Sequence, residues 1–216
     1  MSSAIGNRGV LAIWHVCTPG SEEDYQNWYL HEHLPERMDV PGFLFGRRSE
    51  TVSGTPRSFI TYVTETADTL TSPAFFQRLG APTPWTTKVM SQAIKSMSRV
   101  VCRRVARLGR FRGSASVTLR FAERPDASQM TALMNELSKI PNVVTSELWE
   151  TAETVSAPIA EADQLSVRGW KLDTCLLVDT VRLEDAERIA SDLSRRFPQA
   201  EALVYRVLYQ AGNAES

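Results

Sequence analysis

Apolar residues along this chain fall in short runs separated by turn-forming residues, and the order of the runs recurs. The run at 10–16 predicts a buried strand, stopped by Pro19-Gly20. A helix-spaced stretch then leads to a second turn, Val40-Pro41-Gly42-Phe43. Strand-like runs follow at 43–48 and 59–64, then a helix over 69–79 and a strand over 100–105. From residue 116 the order begins again. A strand at 116–121 turns at Pro125-Asp126, and Met130, Leu133, Met134 and Leu137 stand at helical spacing. After the turn Ile140-Pro141-Asn142-Val143 come strands at 143–150 and 174–180, a helix over 183–197 and a strand over 203–209. Residues 152–169, small and acidic, read as a long loop.

The pattern is β-α-β-β-α-β written twice. It predicts an α+β chain of two tandem ferredoxin-like repeats, 8–108 and 112–210, each a four-stranded sheet with its helices on one face. The bare faces are expected to cover one another, leaving a barrel-like core or cleft between the halves where a small molecule binds.

The halves differ at one place. Pro19 to Pro41 is a step of 22 residues and Pro125 to Pro141 a step of 16, so the first half holds about six more between equivalent turns. The segment His31-Glu32-His33-Leu34-Pro35-Glu36 is assigned to that excess. It contains two of the chain's three histidines; the third is His15, and the second half has none. Histidine exchanges protons near neutral pH, so His33, His15 and His31 are the candidate catalytic residues. On a helix, His31 and His33 point roughly 200° apart and cannot share one ligand. For His15, strand alternation leaves open a structural place beside the helices and a place in the cleft.

The motifs Trp28-Tyr29, Glu32-His33-Leu34-Pro35-Glu36-Arg37, Val40-Pro41-Gly42-Phe43 and Arg47-Arg48, with Ser72-Pro73-Ala74-Phe75-Phe76 and Pro82-Thr83-Pro84-Trp85-Thr86, resemble the EthD-like members of the dimeric α+β barrel superfamily. The resemblance covers about residues 8–108. It implies a dimeric-α+β-barrel-type structure formed within one chain. It also implies acid and base work in a cleft on small, often aromatic, acids. Superfamily members include cofactor-free monooxygenases, isomerases, cyclases and heme enzymes, so the fold alone does not select a reaction.

Other residues complete the expected site. Alternation sends Arg47 and Arg48 to opposite faces, and if Phe43 and Phe45 pack the helices, Arg48 takes the cleft face and can clamp a carboxylate. Tyr25, Trp28 and Tyr29 form a helical stripe that serves as core or as ligand wall. Trp85, in a proline-rich loop, is placed to lid the cleft. Substrate contacts are thus assigned to Arg48, Arg47, Tyr29, Trp28 and Trp85. A set of His15, His33 and Glu36 is the alternative for a metal, but its spacing matches no strong motif, and neither cofactor nor metal is assigned.

Composition narrows the classes. With 43% hydrophobic and 23% charged residues the chain can fill a core. A net charge of −1 gives no support for nucleic acid or an anionic membrane as partner. No apolar run approaches a bilayer span, and the first residues lack a signal-peptide core, so cytoplasmic is the default location. Cys17, Cys102 and Cys175 are isolated in or beside strands and read as small buried hydrophobes. No phosphate-binding glycine loop or nucleophile elbow is present. The expected function is a cofactor-independent acid/base enzyme, an isomerase in aromatic-compound catabolism acting on a small carboxylate. A hydrolase or lyase on similar substrates and a non-catalytic binding or assembly protein are the alternatives, and pairing of two chains into a homodimer stays open.

Overall fold

A computed structural model describes residues 7–152 and 171–212 of the chain. The stretch expected as a long loop, 152–169, lies almost wholly outside the described residues. In order, the elements are β1 (Gly9–Cys17), α1 (Glu22–Trp28), a π-helical turn (Tyr29–His33), α2 (Leu34–Met38), β2 (Phe43–Thr51), β3 (Ser58–Thr64), a 3-10 turn (Ala67–Thr71), α3 (Pro73–Leu79), α4 (Pro84–Gln92) and β4 (Ile94–Gly109). There follow β5 (Ala115–Phe121), α5 (Ala127–Leu137), β6 (Val143–Thr151), β7 (Thr174–Thr180), α6 (Leu183–Arg196) and β8 (Glu201–Gly212).

The eight strands form one closed antiparallel barrel in the order β1-β3-β2-β8-β5-β7-β6-β4. This corrects the expectation of two tandem ferredoxin-like repeats with sheets covering each other. β2 pairs along β8, with Arg47 opposite Gln210, and β4 pairs along β6, with Arg104 opposite Trp149. The physical reason is the sheet edge: unpaired N–H and C=O groups bond laterally, and closure removes every edge.

Where the halves meet, a pocket lined by Trp14, Ser98, Arg120, Leu172 and Glu201 remains beside a packed interior. The barrel interior is filled by strand side chains: Val10, Ala12, Trp14, Phe59, Cys102, Trp149, Cys175, Leu177 and Tyr205 form one buried cluster. Trp14 stacks on Phe59 with ring centroids 5.0 Å apart. Charged groups share this interior. Arg47 reaches Asp179 through two bonds, of 2.8 and 3.1 Å, with both side chains fully buried. Glu147 lies within ion-pair distance of Arg104, Arg112 and Arg107. Burial by itself raises a carboxyl pKa, but Arg112, Arg104 and Arg107 together hold Glu147 below the ordinary range.

Two further clusters lie outside the barrel, under the helices. Around β5 and β7 the expected Met130, Leu133, Met134 and Leu137 pack with Ile189 and Leu193 of α6 directly onto the sheet. In the other cluster, Leu11, Ile13, Ile60 and Tyr62 face Tyr25, Trp28, Tyr29 and Phe75. Gly46 lets α2 approach, since a Cβ there would stand 2.6 Å from Leu34 Cδ1 and 3.1 Å from the Tyr62 ring. Cys102 and Cys175 are buried and Cys17 is half-buried; burial pushes the thiols of Cys17 and Cys102 up, to about 11 and about 12. No helix among the described residues is long and apolar enough to cross a membrane.

Removing one member of the buried Arg47–Asp179 pair leaves an uncompensated charge. Arg47→Met is expected to lower unfolding free energy by about 3–5 kcal/mol, and Arg47→Met with Asp179→Leu to recover most of that. Urea unfolding of both variants checks this; equal loss in the single and double variants would contradict it.

Candidate functional site

The helical crossing from β1 to β2 runs through segments of seven, five and five residues, whereas α5 in the second half has 11. The longer crossing does not simply pad the sheet. It stands off β1 and β3 far enough to leave an open-mouthed cavity of about 80 Å³. The floor is Leu11, Ile13 and His15 of β1 with Ile60 and Tyr62 of β3; Trp28, Tyr29 and His33 roof it.

His15 lies on the helix side of β1 because it shares the parity of Leu11 and Ile13, while Val10, Ala12 and Trp14 point into the barrel. Its ring packs on Tyr25, centroids 4.8 Å apart, and neither ring nitrogen has a hydrogen-bond partner among the described residues. Burial first, and the Arg48 cation second, push its pKa down to about 3. His33 stacks on Trp28 at 4.3 Å and stands 5.3 Å from Tyr29. Its Nδ1 is enclosed and unpartnered, and burial, Arg37, Arg78 and His15 hold its pKa well below the ordinary value. Both imidazoles are therefore neutral at physiological pH, with a lone pair free to accept a proton.

The π-helical turn makes the Trp28–His33 stack. In an α-helix, residues five apart lie about 140° around the axis from each other. The i→i+5 bonding from Leu34 N to Tyr29 O turns the chain less per residue and brings the fifth residue back over the first. His31, two residues earlier, consequently faces solvent.

A single carboxylate anchors the turn. Glu32 Oε1 accepts from Trp28 Nε1 at 3.0 Å, Thr83 Oγ1 at 2.6 Å and Thr86 Oγ1 at 2.8 Å. Thr83 is also the N-cap of α4, accepting from Thr86 N at 3.0 Å. One acid thus ties the roof of the cavity to the start of α4.

Trp85 lies in the first turn of α4 rather than in a loop. It donates from Nε1 to Asp24 at 3.1 Å and braces α1 against α4, outside the cavity lining. Arg47 is committed to Asp179 inside the barrel. A bulge between Phe43 and Phe45 puts Phe43 under the helices and turns the parity of β2, so Arg48 arrives on the helix side. There it lies 4.9 Å over the Tyr25 ring and donates to Glu50 at 2.9 Å. It stands behind His15 and does not line the cavity. Glu36 is paired with Arg78, and no group of three or more His, Cys, Asp or Glu among the described residues is placed to hold a metal.

Three lining residues escaped the sequence reading. Tyr29 and Tyr62 share a hydroxyl–hydroxyl bond of 2.7 Å, and burial raises both phenols, so they stay protonated donors. Arg37 of α2 and Arg99 of β4 also enter the cavity wall. Arg37 stood inside the quoted motif but carried no role; Arg99 is one of five basic residues spread along β4 and had no signal of its own.

No protein-family model and no curated protein sequence matches this chain. Solved structures do match in fold. A candidate monooxygenase from Fusobacterium nucleatum superposes with a TM-score of 0.63 at 9% identity, covering 98% of this chain and 97% of its own. An anthrone oxidase-like protein gives 0.59 at 9% identity, over 100% and 97%. A candidate chlorite dismutase gives 0.52 at 10% identity, over 94% and 96%. These neighbours belong to the dimeric α+β barrel superfamily, and at such identities they establish the fold alone. Membership of the EthD-like family is not established by them.

Two outcomes test this geometry. His15 binds a proton in the unfolded chain below about pH 6.5 but in the native protein only near pH 3, so native stability falls as pH drops through that window. His15 is expected to contribute about 1 kcal/mol per pH unit, beside a like contribution from His33, and His15→Phe should reduce the slope by that amount in urea unfolding at pH 4.5–7. Separately, Glu32→Ala is expected to cost about 2 kcal/mol of stability by stranding buried donors. It should also disturb the Trp28 fluorescence more than Glu32→Gln does.

Proposed function

We propose that this chain is a cofactor-independent acid/base enzyme whose cavity takes a small aromatic carbonyl compound and removes a proton from the carbon beside the carbonyl. The observation that carries the reading is the pair of neutral, unpartnered imidazole groups, His15 and His33, in one aromatic-lined cavity. Burial and neighbouring cations make both imidazoles weak bases in this cavity, and an anion entering beside those cations is what raises them toward base strength, with their lone pairs unclaimed by the protein. The Tyr29–Tyr62 hydroxyl pair supplies a protonated donor for the developing enolate oxygen. Trp28, Tyr29 and Tyr62 offer flat faces to a ring, which aligns the carbon acid with the imidazoles. Return of the proton at a second position gives an isomerase, the outcome the sequence favours.

A second reading uses the same first step. The fold neighbours named as monooxygenases and as anthrone oxidase-like suggest that the enolate meets dioxygen instead of a returning proton. A hydrolase working through a covalent intermediate has less support, because no cysteine or serine among the described residues lines the cavity.

Deuterium uptake at the activated carbon, followed by proton NMR in D2O, distinguishes these. The probes are phenylpyruvate, phenylacetone and anthrone, with the protein air-equilibrated and then anaerobic. Catalysed exchange is expected with at least one probe. His15→Gln or His33→Gln should lower it about 100-fold in at least one case, with the fold confirmed by melting. Oxygen consumption coupled to loss of the probe would favour oxygenation. No exchange above buffer with any probe, or wild-type exchange in both variants, would reject acid/base catalysis and leave a binding role.

A further inference from the structure

Two guanidinium groups in the cavity wall lack an anion. Arg37 is 9% exposed, and its Nη1 is enclosed without a hydrogen-bond partner. Arg99 is half-buried, and its Nη2 is likewise enclosed and unpartnered. Both line the same cavity and lie over one ring, with their Cζ atoms 5.7 and 5.9 Å from the centroid of Phe75 and the Arg37 charge bearing on Arg99. No ion pair reaches either of them among the described residues; Glu36, whose charge bears on Arg37, is paired with Arg78. Burial first and the Arg37 cation second push the Arg99 pKa down to about 10, and Arg37 is lowered by its own burial.

Enclosing two like charges without a counter-ion is costly, and the Phe75 face offsets only a part of it. The protein keeps this arrangement although Met or Leu would fill the same wall. We infer that Arg37 and Arg99 form a carboxylate-binding site, and that the ligand of this cavity is a small aromatic acid whose carboxylate is held between the two guanidinium groups. A carboxylate suits the geometry because it is planar and singly charged, and two N–H donors from different sides can each take one oxygen. Beside the histidines and tyrosines the wall carries an apolar stretch, Leu11, Ile13, Ile60, Leu79 and Met90, that suits the body of such an acid.

The inference rests on the reading of this cavity as the working site but not on the proton chemistry. An entering anion would also relax the electrostatics. Arg37 and its neighbour Arg78 depress His33, so a carboxylate against Arg37 raises that imidazole toward the range where it works as a base.

Isothermal titration with benzoate, phenylacetate and phenylpyruvate, each against its uncharged counterpart (benzamide, phenylacetamide, phenylacetone), reads the site directly. At least one acid is expected to bind about 100-fold more tightly than its counterpart. Arg37→Met and Arg99→Met should each cut that preference about tenfold or more while leaving the uncharged compound's affinity unchanged. Both variants should keep or raise the melting temperature without ligand, because each removes one of two unpaired cations. If every acid binds no better than its counterpart, or if the preference survives in both variants, the carboxylate site is overturned. Selective acid binding without deuterium exchange would uphold the site and reject the proposed chemistry. Exchange on phenylacetone as fast as on phenylpyruvate, with no preference in binding, would do the reverse.

Discussion

Closure of the barrel is the constraint from which the location of everything else follows. Once β2 bonds to β8 and β4 to β6, all eight strands turn one face inward and that space must be filled. Here it holds large aromatic rings and charged groups that are tolerable only as pairs: Arg47 with Asp179, and Glu147 among its arginines. The aromatic-lined cavity that holds the histidines accordingly lies on the outer surface, between the sheet and its helices. In the second half α5 and α6 close directly on the sheet with Met130, Leu133, Met134 and Leu193, whereas the first half's longer crossing leaves the cavity beneath it.

Within that cavity the charges are linked. Arg48 lies behind His15, Arg37 and Arg78 bear on His33, and Arg37 bears on Arg99. Burial gives each of these groups a weak dielectric in which to feel the others. The surroundings are cationic and the imidazoles neutral, a state that suits reception of an anion better than storage of a proton. A ligand carrying a carboxylate and an acidic C–H would change both its own acidity and the basicity of the groups receiving it.

Local features were legible in the sequence to an unequal degree. The strand runs, the helix carrying Met130 to Leu137 and the lengthened crossing could be read, because they depend on periodicity and spacing. His15, Trp28, Tyr29 and His33 were named and do meet in one cavity. Polar Ser116, Thr118 and Arg120 do face inward, but the cavity that brings the histidines together lies elsewhere, outside the sheet. Partners 132 positions apart, such as Arg47 and Asp179, leave no local trace. A one-residue bulge between Phe43 and Phe45 also has no signature in alternation, and it changes which face Arg48 meets.

The π-helical turn shows why the extra residues matter more than their number. Six residues added as regular α-helix would lengthen the crossing by about 9 Å and rotate its far end, without bringing Trp28 and His33 together. Widening one turn instead closes the fifth residue onto the first and leaves backbone bonding there less regular, a distortion that needs an anchor. Glu32 provides it, sitting within the turn and receiving three hydrogen bonds from Trp28, Thr83 and Thr86. The same acid is thereby kept from the arginines that line the cavity. Had Glu32 pointed inward to pair with Arg37, the cavity would have been neutralised from within and its guanidinium donors filled. Its commitment to the two threonines and the indole leaves those donors to the ligand.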